Sequence, residues 1–353
     1  MFPKIVGYVV KRGVMLFLTV VIAIYITIWI ANMGGYVDEI VKGDLYLSIS
    51  QSVRQNPAYR HLNDTQVREL VDALYANELK KIGFDKPFIY RSFIYLRDAI
   101  SLNLGRALWL SSNSGSKSVY IIISERLPNT VLLFTTTQLI LFFIGLFAGL
   151  FLSRRYGSIP DKLSVTLAPL SSLPGWFYGI FLILIFASSL RILPYGGMVD
   201  VPPPTDSLSY ALSVLKHMIL PVLSWLIAYS FINIYSRRTF FLMFSSEDYV
   251  EMAKAKGLPE SLIRRRYILR PTLPPIVTDF SLTLIASWMG AIITERVFDW
   301  PGIGSLLYSA STMFDTPVLV GLIVIYAYLL AATIFTLELV YAILDPRIRM
   351  GGV

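Results

Sequence analysis

Cysteine is absent from the 353 residues, which excludes disulfides, thiol catalysis and cysteine-based metal sites. Histidine is scarce: His61 and His217 leave little for a metal centre or for histidine-based acid–base chemistry. Charged residues make up 15% of the chain, against about 25% in soluble domains. The sequence contains no Gly-x-x-x-x-Gly-Lys-[Ser/Thr] loop and no Gly-x-Gly-x-x-Gly turn. It also lacks Gly-x-Ser-x-Gly and His-Glu-x-x-His, so serine-hydrolase and zincin chemistry have no foothold. If the chain takes part in active transport, ATP must be hydrolysed on another polypeptide.

Hydrophobic residues are plentiful, at 55%, and they come in blocks. A bilayer crossing needs about twenty apolar residues. Six blocks qualify, at 14–33, 129–153, 164–190, 217–243, 275–295 and 318–344. The expected class is therefore all-α, a polytopic protein with six transmembrane helices. The first block follows Lys4, Lys11 and Arg12 but is too long for a signal peptide and lacks a clear cleavage site, so it reads as an uncleaved anchor. The formal net charge of +8 is spent beside these blocks, which fits membrane topology better than a nucleic-acid footprint.

Lys and Arg in short loops set orientation. Arg154, Arg155 and Lys162 lie in one such loop, Arg237 and Arg238 in another, and Arg347 and Arg349 after the last block. All fall on one side if both termini are cytoplasmic. The expected organisation is 1–33 as cytoplasmic N-terminus and first span, 34–128 as an external helical region, and 129–353 as a five-helix core. Within 34–128, Asn63-Asp64-Thr65 reads as a helix start and Gly83 as its stop, with Val67, Leu70, Val71 and Leu74 on one face. Pro87 opens a second helix with Ile89, Phe93, Leu96 and Ile100 as its apolar stripe, ended by Gly105 and the serine-rich run 111–118. The region is either a cap packed on the external mouth or a docking surface. Asn63 also heads an N-glycosylation sequon.

The segment 245–272 is too short and too polar to span, and it carries Lys254, Lys256, Arg264, Arg265, Arg266 and Arg270. Ser245 or Ser246 can cap a helix, with Glu247 and Asp248 in its first turn. Gly257 and Pro259 can end it near Lys256, and Glu260 to Arg270 reads as a second helix stopped before Pro271. Tyr249, Met252 and Ala253 are placed on one face of the first helix. The bland reading is an ordinary positive-inside loop; the sharper one is a cytoplasmic elbow held out to a partner.

Tyr249-Val-Glu-Met-Ala-Lys-Ala-Lys-Gly257-Leu258 resembles the EAA motif of ABC-importer permeases, specifically the dipeptide/oligopeptide family. Glu251, Ala253 and Gly257 match it, and Met252 stands where the motif has its central Ala. Further matches are Gly83-Phe-Asp-Lys-Pro87, Glu125-Arg-Leu-Pro-Asn-Thr130, Glu295-Arg-Val-Phe-Asp-Trp-Pro-Gly-Ile-Gly304, Asp315-Thr-Pro317 and Leu344-Asp-Pro-Arg-Ile-Arg349, and Leu102-Asn-Leu-Gly105 resembles the family's Gly-Asp-Leu-Gly with both leading residues changed. Pro271 and Ile334 stand where the family often has Asn. The long first external loop is similar to that of the larger of the two permeases such importers pair.

The resemblance implies a type I importer permease fold in the cell membrane. It implies a homologous second permease, two cytoplasmic ATPase subunits holding ATP and Mg, and an extracytoplasmic substrate-binding protein. No cofactor is expected on this chain. The elbow would be the coupling helix, with Glu251, Ala253 and Gly257 shaping it and Tyr249 and Leu258 making contacts. The implied cargo is short peptides, with oligosaccharides, nickel or other solutes as alternatives. A stand-alone secondary transporter would need an intramembrane charge, for which Glu338 is the candidate against a structural polar role. A membrane enzyme lacks motifs to support it.

Overall fold

A computed structural model describes residues 2–33, 35–84 and 86–344. Asp85 of the Gly83–Pro87 match, the stretch 345–349 of the C-terminal match, and Arg347 and Arg349 lie outside the described residues. The described chain is all-α, with no strand and one isolated bridge between Arg106 and Ser118. Its helices are α1 (Phe2–Asn32), α2 (Tyr36–Gln55), α3 (Asp64–Lys81), α4 (Phe88–Ile100), α5 (Val119–Ser153), α6 (Ile159–Leu167) and α7 (Gly175–Leu182). They continue as α8 (Ser207–Ser245), α9 (Asp248–Ala255), α10 (Glu260–Leu262), α11 (Arg270–Ser287), α12 (Ile292–Val297), α13 (Ile303–Thr312) and α14 (Thr316–Leu344).

α1, α5, α8 and α14 are long and apolar enough to cross a membrane. The block expected at 164–190 is sharply broken. Ile159–Ser172 and Gly175–Ser189 meet at 92°, with a 3₁₀ stretch from Ala168 and Pro174 at the joint. Pro174 cannot donate to the preceding turn, which ends the first limb there. Gly175 then lets the second limb press on Trp225, whose ring leaves no room for a Cβ. The block expected at 275–295 is also divided: α11 stops at Ser287, Gly290 takes φ +77°, and α12 restarts at Ile292. Neither piece passes as a span by length and composition.

The described residues fall into two compact units. One comprises 10–123 and 310–331. In it, Val20, Ile24 and Ile28 of α1 are buried with Ala99 of α4 and Val324 of α14. Asn63 caps α3 as its sequence implies: Oδ1 accepts from Gln66 N, and the Gln66 side chain accepts from Asn63 N. Val71 of α3 is buried, whereas Leu74 is exposed. α4 keeps half of its expected stripe: Leu96 packs on the buried group around Ile24 and Ala99, and Ile100 is half-buried. Ile89 and Phe93 are exposed, and Arg91, Ser92 and Ala99 face inward. Arg91 pairs with Asp38 of α2 (Nη1–Oδ1 2.9 Å) and lies over the Phe84 ring, and that pairing holds its guanidinium pKa up. Asp315, fully buried, accepts from the backbone N–H groups of Leu108, Trp109 and Leu110 at 3.1, 2.9 and 3.0 Å.

The other unit comprises 2–9, 124–309 and 332–344. A buried cluster in it joins Leu133 and Phe134 of α5, Val214, Met218 and Val222 of α8, and Trp300.

Candidate functional site

The elbow begins where α8 ends. Ser245 and Ser246 do not cap the next helix: their hydroxyls turn back onto α8, donating to Leu242 O at 2.7 Å and Met243 O at 2.9 Å. α9 starts at Asp248 with Glu247 as its N-cap residue and no side-chain cap bond. Asp248 and Glu251 in the first turn complement the helix dipole instead.

The far end of α9 is closed by backbone. Gly257 adopts φ +70°, its N–H donates to Lys254 O at 2.9 Å, and Leu258 N–H donates to Ala253 O at 3.3 Å. This crossed pair of bonds satisfies carbonyls a helix end would otherwise leave open, and the left-handed position favours glycine. Beneath it, Val250, Ala253 and Ile263 are buried, with Leu258, Tyr267 and Ile268 packed on them.

The expected face of α9 therefore splits. Ala253 points into the elbow's own core, and Leu258 is half-buried there. Tyr249, Glu251 and Met252 are exposed. Partial burial and the neighbouring Glu247 charge raise the Tyr249 phenol pKa.

The second limb does not stop before Pro271. α10 runs into a π-helical turn, Ile263–Leu269, and directly on into α11. The wider π turn takes the proline ring without a clash that would end a tighter helix. Arg265, Arg266 and Arg270 line a groove of about 470 Å³ on this limb, with Leu262, Leu269 and Leu273.

Two supports of the same unit complete the setting. Arg237 and Arg238 are not loop residues; they lie within α8. Buried Arg238 forms a two-pronged pair with buried Asp161 of α6, at 2.6 and 2.7 Å, and Asp161 also accepts from Gly157 N–H at 2.8 Å. Arg237 reaches Asp279 at 2.6 Å. Asp279 sits in the middle of α11. α5 comes so close here that a Cβ on Gly149 would lie 2.7 Å from that of Arg237.

The matches around Thr130 and Glu295 meet in space. Glu295 is fully buried, not interfacial as its position at the end of an apolar block suggests. Its carboxylate accepts from Thr130 Oγ1 at 2.8 Å and from Ser305 N–H at 2.9 Å. Thr130 Oγ1 in turn accepts from Ile303 N–H at 2.7 Å. Asn129 Nδ2 donates to Pro301 O at 2.8 Å, and Trp300 Nε1 donates to Asn129 O at 3.0 Å. Gly302 passes directly over Thr130 and the Glu295 carboxylate, where any Cβ would overlap both. Both stretches stand out as motifs in the sequence, but their pairing becomes visible only in the fold.

The family model for the binding-protein-dependent transport system inner membrane component matches residues 142–350. The chain is 30% identical over 298 residues to the di/tripeptide transport system permease protein of Pseudomonas aeruginosa, covering 80% of this chain and 87% of that one. It is 29% identical over 287 residues to the glutathione transport system permease protein of Shigella flexneri, with 81% and 85% covered. It is 26% identical over 276 residues to an oligopeptide transport system permease protein of Bacillus subtilis, with 77% and 84% covered. Among solved structures, an inward-facing MetNI methionine ABC transporter chain aligns with TM-score 0.45 and 16% identity, over 62% of this chain and 95% of that one. The matched region contains the elbow and Glu295, and the chain belongs to the binding-protein-dependent transport system inner membrane component family.

Proposed function

We propose that this chain is the larger permease of an ATP-driven importer of short peptides, and that α9 is where it takes up force from a cytoplasmic ATPase. The observation that carries this is the construction of the elbow. Val250, Ala253 and Ile263 lock it from within, Gly257 closes it, and Tyr249, Glu251 and Met252 are left outward for a partner. ATP and Mg belong to two ATPase subunits, a homologous permease completes the pathway, and a binding protein delivers cargo on the opposite face. Both termini lie on the ATPase side in this arrangement. Peptides are favoured over oligosaccharides because the named relatives are di/tripeptide, oligopeptide and glutathione permeases.

Gly257→Val tests the coupling role. A β-branched residue is strained at φ +70°. The expected result is an assembled complex whose ATP hydrolysis no longer drives uptake. Unchanged uptake and unchanged stimulation of ATPase activity would sink the proposal. Mass spectrometry of the ligand retained by the co-purified binding protein tests the cargo, and a sugar found there would overturn the peptide assignment.

A further inference from the structure

α4 carries an apolar face that its own unit leaves open. Ile89, Tyr90 and Phe93 are 60%, 52% and 57% exposed, although the helix is anchored along its other side. Two independent rulers give its depth. The first is α1, whose apolar span ends at Asn32. The Phe93 ring stacks on Tyr25 at 5.5 Å, Phe88 meets Trp29 edge-on at 5.2 Å, and Ser92 Oγ lies 3.2 Å from Tyr25 Oη. Tyr25 is seven residues before Asn32, about 10 Å along the axis. Its side chain tilts towards the helix N-terminus, which carries the ring further from that end.

The second ruler is α14, which enters the same unit at Thr316. The Tyr328 hydroxyl donates to Ile100 O, at the end of α4, at 2.8 Å. Tyr328 lies twelve residues into α14, about 18 Å along its axis. Its tilt back towards Thr316 still leaves the Ile100 carbonyl well below that end. A helix that reached only water above the membrane could make neither set of contacts.

We propose that α4 is an interfacial helix embedded in the membrane leaflet at which α1 ends, with Ile89, Tyr90 and Phe93 against phospholipid acyl chains. Three features support that occupant. Through Tyr25 and Trp29 the face adjoins α1, whose Ile22, Ile26 and Ile30 are themselves exposed along an apolar span. It is bracketed by two cations, Lys86 over the Tyr90 ring at 4.2 Å and Arg97, exposed and paired with Asp98 at 2.8 Å. Long basic side chains at the two ends of an apolar stripe can reach the headgroup phosphates while their stems stay in the acyl boundary. Helices of this kind sit about 5–10 Å into that boundary; the Trp29 contact, three residues before Asn32, puts the Phe88 end of α4 about 5 Å in, and the Tyr25 contact puts Phe93 deeper.

The chain has no cysteine, so single-cysteine variants accept a nitroxide at one place only. Ile89→Cys and Phe93→Cys in the full chain, in phosphatidylethanolamine–phosphatidylglycerol vesicles, are compared with Ile26→Cys on α1 and Asp72→Cys on α3. Power-saturation measurements with dissolved oxygen and a water-soluble nickel chelate read the surroundings. The expected result is high oxygen and low nickel accessibility at 89 and 93, matching 26 and opposite to 72. Nickel accessibility at 89 and 93 with 26 still shielded would overturn the proposal. The same labels becoming shielded only on addition of the binding protein would also overturn it, in favour of a protein partner. Nickel accessibility at 26 as well would remove the span on which the depth argument rests.

Discussion

Thr130 and Glu295 stand 165 positions apart in the chain and share a buried hydrogen bond of 2.8 Å, hydroxyl donating to carboxylate. The same hydroxyl accepts from Ile303 N–H, so its proton is committed to Glu295 and its lone pair to the backbone. Glu295→Gln keeps the shape but replaces one acceptor oxygen with an NH₂ that faces a donor. Leaving a buried donor unmatched costs about 1–3 kcal/mol. The thermal unfolding midpoint of the purified complex should fall accordingly, and fall further in Glu295→Ala.

Two glycines should behave oppositely. Gly302→Ala would drive a methyl into the side-chain oxygens of Thr130 and Glu295, which can yield only by giving up their buried hydrogen bonds. Gly257→Ala meets nothing within 4 Å and carries only the strain of a left-handed backbone, about 1–2 kcal/mol. Expression and monodispersity on size exclusion should collapse for the first and persist for the second.

Asp161→Ala strands the Arg238 guanidinium in a buried site. Breaking such a pair from one side costs about 3–5 kcal/mol. The double variant Asp161→Leu with Arg238→Met removes both charges and should recover most of that loss. Thermal unfolding of the single and double variants checks this.

Asn63→Ala removes a capping box from α3. The local cost is about 1 kcal/mol. Hydrogen exchange should quicken in the first turn of α3 and nowhere else, because the residue is exposed and touches only its own helix start.

The legible parts of the fold are those written in local grammar. Asn63, Gly83 and Pro87 punctuate α3 and α4 correctly, and Gly257 closes α9 as its spacing implies. α2 has no such signal: Gly35 heads it, Gly43 sits within it, and an Arg91–Asp38 pair, 53 residues apart, ties it to α4. Ile89 and Phe93 of the α4 stripe turn outward for the same reason, since an inward arginine with a distant partner takes the space they would fill. At the elbow, the first helix was legible but the burial of Ala253 was not, because its cover, Ile263, comes from the limb beyond the turn. Pro271 signalled a stop that a π turn made unnecessary.

That uninterrupted run from α10 into α11 has a mechanical meaning. Pro271, Pro274 and Pro275 lack N–H groups, so the head of α11 is short of the axial bonds that stiffen a helix. The contour is unbroken, yet bending resistance is lowest at that point. Such a segment behaves as a universal joint: twist and pull pass through it, while a change of angle is absorbed there. Were α9 the point at which force enters, a change of angle would be taken up at this joint before it reached Asp279 and its Arg237 tether.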